Sequence, residues 1–77
     1  MSQPLWLRID TGDFVNLSKA HMLYVELGKT QQDNEIWHLQ ARFFDFEQTI
    51  RSFELETDAR AYMEKIMKLF PMSLNIK

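Results

Sequence analysis

The sequence contains no cysteine, only two glycines and two prolines, and no long apolar run. Without cysteine, neither disulfides nor thiolate zinc sites can form. Two glycines, Gly12 and Gly28, are too few to build a phosphate-cradling loop or a dinucleotide-binding fingerprint. Because the chain also lacks a signal-peptide pattern and an apolar stretch of about 18 residues, we expect a cytoplasmic protein with no membrane partner.

Basic and acidic side chains are nearly equal in number. Nine basic and eleven acidic side chains give a formal net charge of −2 at pH 7. This balance argues against broad, charge-driven binding to nucleic acid or to anionic membranes, but it leaves room for a local basic patch. Nucleic-acid binding is therefore disfavoured by net charge without being excluded.

Residues suited to catalysis or metal binding are also few. His21 and His38 are the only histidines, and a zinc site needs three or four convergent ligands at recognisable spacings. The acidic pair Glu54 and Glu56 is explained by a solvated sheet edge and by the dipole of the predicted helix next to it. We expect no metal, no cofactor and no enzymatic activity.

The composition that is present indicates one folded domain over residues 1–77. Hydrophobic residues make up 45% of the chain and aromatic residues 13%, which is typical of a globule and not of a disordered tail. A chain this short gains little more from apolar burial than it loses in conformational entropy, and no disulfide can reinforce it. We therefore expect association with a second subunit, most simply as a homodimer.

The C-terminal third contains the clearest pattern, an amphipathic helix over residues 58–70. Thr57 is suited to the N-cap position, Lys68 lies near the negative end of the dipole, and Pro71 ends the helix. The apolar positions have the i, i+3, i+4 spacing of one helix face. They are Ala59, Tyr62, Met63, Ile66, Met67, Leu69 and Phe70.

Before the helix, apolar and polar residues alternate with the period of a strand. The predicted strands cover residues 4–10, 14–17, 21–27, 36–43 and, more weakly, 48–53. Gly12 supplies the first turn, and the polar residues 28–35 predict a mobile loop longer than most hairpin loops. The apolar tail, residues 71–77, is expected to dock on the sheet edge or on a partner subunit.

These elements predict an α+β fold in which an antiparallel meander of four or five strands, within about residues 4–53, is covered on one face by the C-terminal helix. The covered face is predicted to hold Leu5, Leu7, Ile9, Leu23, Val25, Leu27, Trp37, Leu39, Ala41 and Ile50.

The uncovered face is the predicted interaction surface. It is expected to carry Trp6, Arg8, Met22, Tyr24, His38, Gln40, Arg42 and Arg51. Aromatic, methionine and arginine side chains are enriched at subunit interfaces, which favours packing against a second copy or another protein. The alternative is single-stranded DNA or RNA, since rings stack on bases and guanidinium groups meet phosphates. A third hypothesis is a small-molecule pocket between helix and sheet.

Residues 5–17, together with the capped helix that starts at Thr57, resemble small uncharacterised bacterial proteins, including cyanobacterial ones. The arrangement of strand meander and helix is similar to that of the single-stranded DNA-binding transcriptional regulators that include the Whirly proteins. The resemblance implies this fold and, for the open face, single-strand binding. It assigns no functional residue, and those regulators are basic on their binding face whereas this chain is net acidic.

Overall fold

The structure is a computed structural model that describes residues 6–69 and 75–76. Two short strands form a hairpin at the start, and longer strands and one helix come after it. In chain order the elements are β1 (Trp6–Arg8), β2 (Phe14–Asn16), a 3-10 turn (Leu17–Lys19), β3 (Met22–Lys29), β4 (Glu35–Arg42), β5 (Glu47–Phe53), α1 (Glu56–Leu69) and β6 (Asn75–Ile76).

The architecture is α+β, as predicted, with β3, β4 and β5 forming an antiparallel meander. The spatial order of the main sheet is β5-β4-β3-β6, and β6 runs parallel to β3. Of the two places where the tail was expected to dock, the sheet edge is confirmed at Asn75–Ile76, which pairs with β3. Phe70 and residues 71–74 and 77 lie outside the described residues.

The structure corrects the expectation of a single continuous meander. In the part of the chain that the structure describes, β1 and β2 pair only with each other, as a separate two-stranded sheet. Gly12 takes positive φ in their connection, as predicted, with φ of 94°. Within the described residues, the hairpin hydrogen-bonds to β5 through Asp10. The backbone N–H of Asp10 donates to the Ile50 carbonyl at 3.1 Å, and the Asp10 carboxylate accepts from the Ser52 N–H.

The loop between β3 and β4 is also shorter than predicted. Both strands extend into the polar segment until Lys29 lies opposite Glu35. Thr30 closes the remaining turn: its N–H donates to the Asn34 carbonyl at 2.9 Å, and its hydroxyl accepts from the Asn34 N–H. Asp33, with φ of 63°, supplies the left-handed residue that the turn requires. A polar stretch without an apolar pattern therefore forms a tight, hydrogen-bonded turn.

Alternation on β3 and β4 is confirmed by their register. Leu23 lies opposite Ala41, and Val25 lies opposite Leu39, on the side of the helix. Burial on this side falls toward the hairpin turn, from Leu23, which is fully buried, to Leu27, which is exposed. The prediction that the helix covers Leu27 is therefore wrong, since 47% of this residue stays exposed.

A bulge in β5 breaks the predicted alternation. Leu39 lies opposite Arg51 and Gln40 lies opposite Thr49, so Ile50 is the extra residue. Ile50 is buried, as expected. Arg51, however, does not face away from the helix: its guanidinium carbon lies 4.7 Å from the centroid of Tyr62, a residue of α1. A one-residue insertion shifts all later side chains relative to the partner strand.

The helix α1 packs across β3, β4 and β5. Ala59, Met63 and Ile66 are its buried positions, as the spacing predicts. Helix α1 begins at Glu56, so Thr57 lies in its first turn and does not precede it. The N–H of Ala59, which an N-cap side chain at Thr57 would bind, donates to the carbonyl of Leu55 at 3.3 Å. The core is completed by Ile9, Leu17, Ala20, Leu23, Leu39, Ala41, Phe43 and Ile50.

Candidate functional site

Five of the eight predicted surface residues share the uncovered face of the main sheet. Met22 lies opposite Arg42 and Tyr24 opposite Gln40 on β3 and β4, and His38 lies one pair further along, opposite Glu26. The register therefore brings these side chains together as the alternation predicted. They are flanked on β5 by Glu47, Thr49 and Ser52.

Glu47 organises the charged end of this face. Its carboxylate accepts a hydrogen bond from the Tyr24 hydroxyl at 2.7 Å and two from the Arg42 guanidinium at 3.0 and 2.8 Å. The guanidinium carbon of Arg42 also lies 5.7 Å from the centroid of the Tyr24 ring. Tyr24 and Arg42, which were expected to contact a ligand, thus contact each other and hydrogen-bond to Glu47.

The titration behaviour of these groups is explained by that geometry. Burial, then the hydrogen bond and negative charge of Glu47, raises the pKa of Tyr24 to about 12. The hydrogen bond from Tyr24, then that from Arg42, lowers the pKa of Glu47. The hydrogen bond to Glu47 also raises the pKa of Arg42. Near neutral pH the cluster therefore holds a neutral phenol, a carboxylate and a guanidinium.

The centre of the same face is a chain of polar contacts. Gln40 accepts from the Thr49 hydroxyl at 2.9 Å and its amide lies 3.4 Å from the Glu26 carboxylate. His38 Nδ1 lies 2.7 Å from Ser52 Oγ. In the described part of the chain, no carboxylate hydrogen-bonds His38, so this pair lacks the orienting group of a nucleophile–base–acid arrangement. The uncovered face is polar and largely satisfied internally.

The other three predicted residues lie elsewhere. Trp6 and Arg8 belong to the separate β1–β2 hairpin, where Arg8 lies opposite Phe14. Arg51 forms an ion pair with Asp10 at 3.2 Å on the helix side of the bulge. The predicted surface of eight residues is thus divided among three places.

Trp6 instead belongs to an aromatic cleft with a cavity volume of about 400 Å³. One wall comes from the β1–β2 hairpin and the other from the turn between β4 and β5. We define the aromatic cleft by its five rings, which are Trp6, Phe14, Phe43, Phe44 and Phe46.

The turn that forms the second wall has a fixed geometry. The N–H of Phe43 donates to the Phe46 carbonyl at 2.8 Å, and the two rings stack with centroids 4.7 Å apart and planes 13° apart. Phe43 is buried in the core. Phe46 is thereby anchored through Phe43, while Phe44 projects from the turn.

Most of the cleft rings are exposed to a degree that is unusual for aromatic side chains. The exposed fraction is 57% for Trp6, 64% for Phe14, 93% for Phe44 and 52% for Phe46. Large contiguous apolar patches are rare on the surface of monomeric proteins, and where they occur they usually mark a binding site. The cleft, and not the polar sheet face, is therefore the candidate site.

Polar residues line the rim of the cleft. Lys19 comes from the 3-10 turn, Asp13 from the end of the β1–β2 connection and Asp45 from the β4–β5 turn, and Asn16 and Gln48 also line the cleft. Among the described residues, neither Lys19 nor Asp45 takes part in an ion pair. Both signs of charge are thus available at one rim.

Sequence reasoning missed Phe14, Phe44 and Phe46. Alternation identified Phe14 only as part of a short strand, and Phe44-Asp45-Phe46-Glu47 was interpreted only as a turn. The signal that was present is chemical: turns favour glycine, proline, asparagine, aspartate and serine, so two phenylalanines in one turn are out of place unless they contact something.

Within residues 6–69 and 75–76, no group of three or more histidine, aspartate or glutamate side chains is placed to hold a metal ion. Over the same residues, no helix has the length and apolar character needed to cross a membrane. Comparisons of the chain with protein-family models, with curated proteins and with solved structures found no match. The function of the protein has therefore to be inferred from its own surface.

Proposed function

We propose that the chain is a small non-enzymatic binding domain that forms a homodimer and acts through protein–protein contacts made by the aromatic cleft. The observation that carries this proposal is the clustering of four largely exposed aromatic side chains around one cleft. Aromatic residues are enriched in the cores of protein interfaces and dominate their energetics.

The way the cleft is built supports a binding role. Leaving apolar surface exposed costs about 25 cal/mol per Å² relative to burying it. Phe44 and Phe46 lie in a turn whose geometry is fixed by the hydrogen bond between Phe43 and Phe46 and by the stacking of their rings. A rigid display of rings loses little conformational entropy when a partner covers it. The cleft is therefore arranged to bind without first being ordered.

The size of the chain supports self-association. A domain of 77 residues with no cysteine has only its hydrophobic core for stability, and small scaffolds commonly add subunit contacts. A second subunit that covers the aromatic cleft would bury the apolar surface of several exposed rings at once. Dimerisation thus contributes to stability as well as to binding.

Single-stranded nucleic acid is the alternative function, and Trp6 supports it most directly because its ring is exposed on the same hairpin as Arg8. The uncovered sheet face supports it less, since Arg42 is paired with Glu47 and Arg51 with Asp10. Nucleic-acid binding predicts that a single-stranded oligonucleotide quenches tryptophan fluorescence at low salt and that added salt weakens the effect. An unchanged emission at low salt would eliminate this alternative.

The test of the proposed function is the solution mass measured by light scattering during size-exclusion chromatography. At high micromolar concentration we expect wild-type protein to approach twice its monomer mass of 9.3 kDa. Trp6→Ala should shift the protein to monomer, because it removes one wall of the cleft.

The matched control is Leu55→Ala. Leu55 is 59% exposed, close to the value for Trp6, but it lies just before α1 and does not line the cleft. This variant should dimerise like wild type. A wild-type protein that is monomeric at every accessible concentration would refute the homodimer.

A further inference from the structure

We infer that each cleft is occupied by Phe44 of a second copy of this chain, so that two protomers exchange this ring reciprocally. The inference rests on the proposed function and specifies how the cleft is filled.

Phe44 has the properties of an inserting side chain. It is 93% exposed, so it makes almost no contact with the protomer that carries it. The Phe43–Phe46 stack and the hydrogen bond that closes the turn hold its backbone in place. Phe44 therefore borders its own cleft without filling it, and it is presented outward on a rigid turn.

The cleft has the properties of a matching receptor. Trp6 and Phe14 form one wall and the anchored Phe46 forms the other, around a volume of about 400 Å³. This volume is near the lower end of the range for ligand sites, which suits one or two rings better than a folded segment. Aromatic pairs in such a site gain free energy from ring packing beyond the area that they bury.

The charges on the rim favour a second copy as the occupant. A two-fold interface places one surface patch against itself, so a patch of a single sign would repel its own copy. The rim instead carries Lys19 together with Asp13 and Asp45, which allows the cation of one protomer to face a carboxylate of the other. The mixed charge of the rim is thus compatible with a second copy of the same patch.

The available area also fits a reciprocal pair. If each ring has about 200 Å² to bury, the exposed parts of the four rings amount to roughly 500 Å² on one protomer and about 1,000 Å² on two. Specific interfaces bury at least about 1,000 Å² in total. A single inserted side chain from another protein would cover less, whereas two copies reach this lower limit and should form a weak, concentration-dependent dimer.

The experiment mixes two variants that each disable one half of the contact. Phe44→Ala lacks the inserting ring but keeps Trp6, Phe14 and Phe46 as the walls of the cleft. Trp6→Ala keeps the inserting ring but lacks one of these walls. Each variant alone should dimerise at least about 30-fold more weakly than wild type, the effect expected for a central interface residue. Their mixture restores one complete contact, so the heterodimer should be tighter than either homodimer.

Native mass spectrometry separates the species, since the two variants differ in mass. Fluorescence reports the contact itself, because in the mixture only the Phe44→Ala protomer carries Trp6, with Trp37 common to both. Covering Trp6 should shift its emission to shorter wavelength on mixing. The control is a mixture of Phe44→Ala with Leu55→Ala. Because Leu55→Ala keeps both the cleft and the inserting ring, it should dimerise with itself, and the heterodimer should not be tighter than that homodimer.

The possible outcomes separate this inference from the proposed function. If wild type dimerises but the mixture is no tighter than the separate variants, Phe44 does not enter the partner's cleft, and only the inference fails. If wild type stays monomeric, the homodimer itself fails. A monomeric wild type whose Trp6 emission shifts with N-acetylphenylalanine amide would mean that the cleft takes an aromatic side chain from a different partner, which also overturns the inference.

Discussion

At the scale of single residues, Glu47 determines the chemistry of the uncovered sheet face. It accepts hydrogen bonds from both Tyr24 and Arg42, two residues that were predicted to be free for a ligand. Alternation placed Tyr24 and Arg42 on one face, but Glu47 was assigned to the turn before β5, so their partner was not predicted. The internal pairing arises from the cross-strand position of Glu47 opposite Arg42, which only the register supplies.

Tyrosine ionisation tests this cluster. With a pKa raised from 10.0 to about 12, the contribution of Tyr24 to stability is fully present below pH 10 and is lost as the pH rises toward 12. Glu47→Gln removes the charge and weakens the hydrogen bond, so the pKa of Tyr24 should fall, although burial keeps it above its usual value. Ultraviolet titration of tyrosinate measures the shift, with Tyr24→Phe identifying the phase. An unchanged Tyr24 phase in Glu47→Gln would show that the hydrogen bond does not form.

At the scale of secondary structure, alternation and helical spacing predicted the elements well but not their exceptions. The register of β3 with β4 and the buried side of α1 agree with the apolar spacing. The bulge at Ile50 could not be predicted in this way, because an extra residue leaves the local sequence pattern unchanged and only shifts the pairing of the later residues in the strand. This shift is why Arg51 contacts Tyr62 on α1 instead of joining the uncovered face.

Gly28 provides a test of the β3–β4 packing. A Cβ at this position would lie 2.8 Å from His38 Nε2, and His38 is held in place by Ser52. Gly28→Ala should therefore displace the ring and destabilise the domain by about 1 kcal/mol, since the steric cost exceeds the gain from the stiffer backbone. Chemical denaturation measures the difference.

The control for Gly28→Ala is the same substitution in a His38→Ala background. With the ring removed, the added methyl group has space and Gly28→Ala should be neutral or stabilising. Equal destabilisation in both backgrounds would mean that the cost arises from the backbone and not from contact with His38.

At the scale of the whole molecule, two surfaces with different chemistry are present. The uncovered sheet face is polar, and its hydrogen-bonding groups largely satisfy one another. The aromatic cleft, at the junction of the β1–β2 hairpin and the β4–β5 turn, exposes rings around a charged rim. The sequence predicted the need for a partner from chain length and composition. It did not predict the aromatic cleft, because Trp6, Phe14 and Phe44 become neighbours only through the tertiary fold.

The central claim is that the aromatic cleft is the surface covered by a second copy. It is tested most directly by isotope-filtered nuclear Overhauser spectroscopy on a mixture of labelled and unlabelled protein, at a concentration where the solution mass is that of a dimer. We expect intermolecular contacts from the Phe44 ring to the rings of Trp6 and Phe14. Intermolecular contacts that instead involve Tyr24 and His38 would place the interface on the uncovered sheet face and contradict the claim.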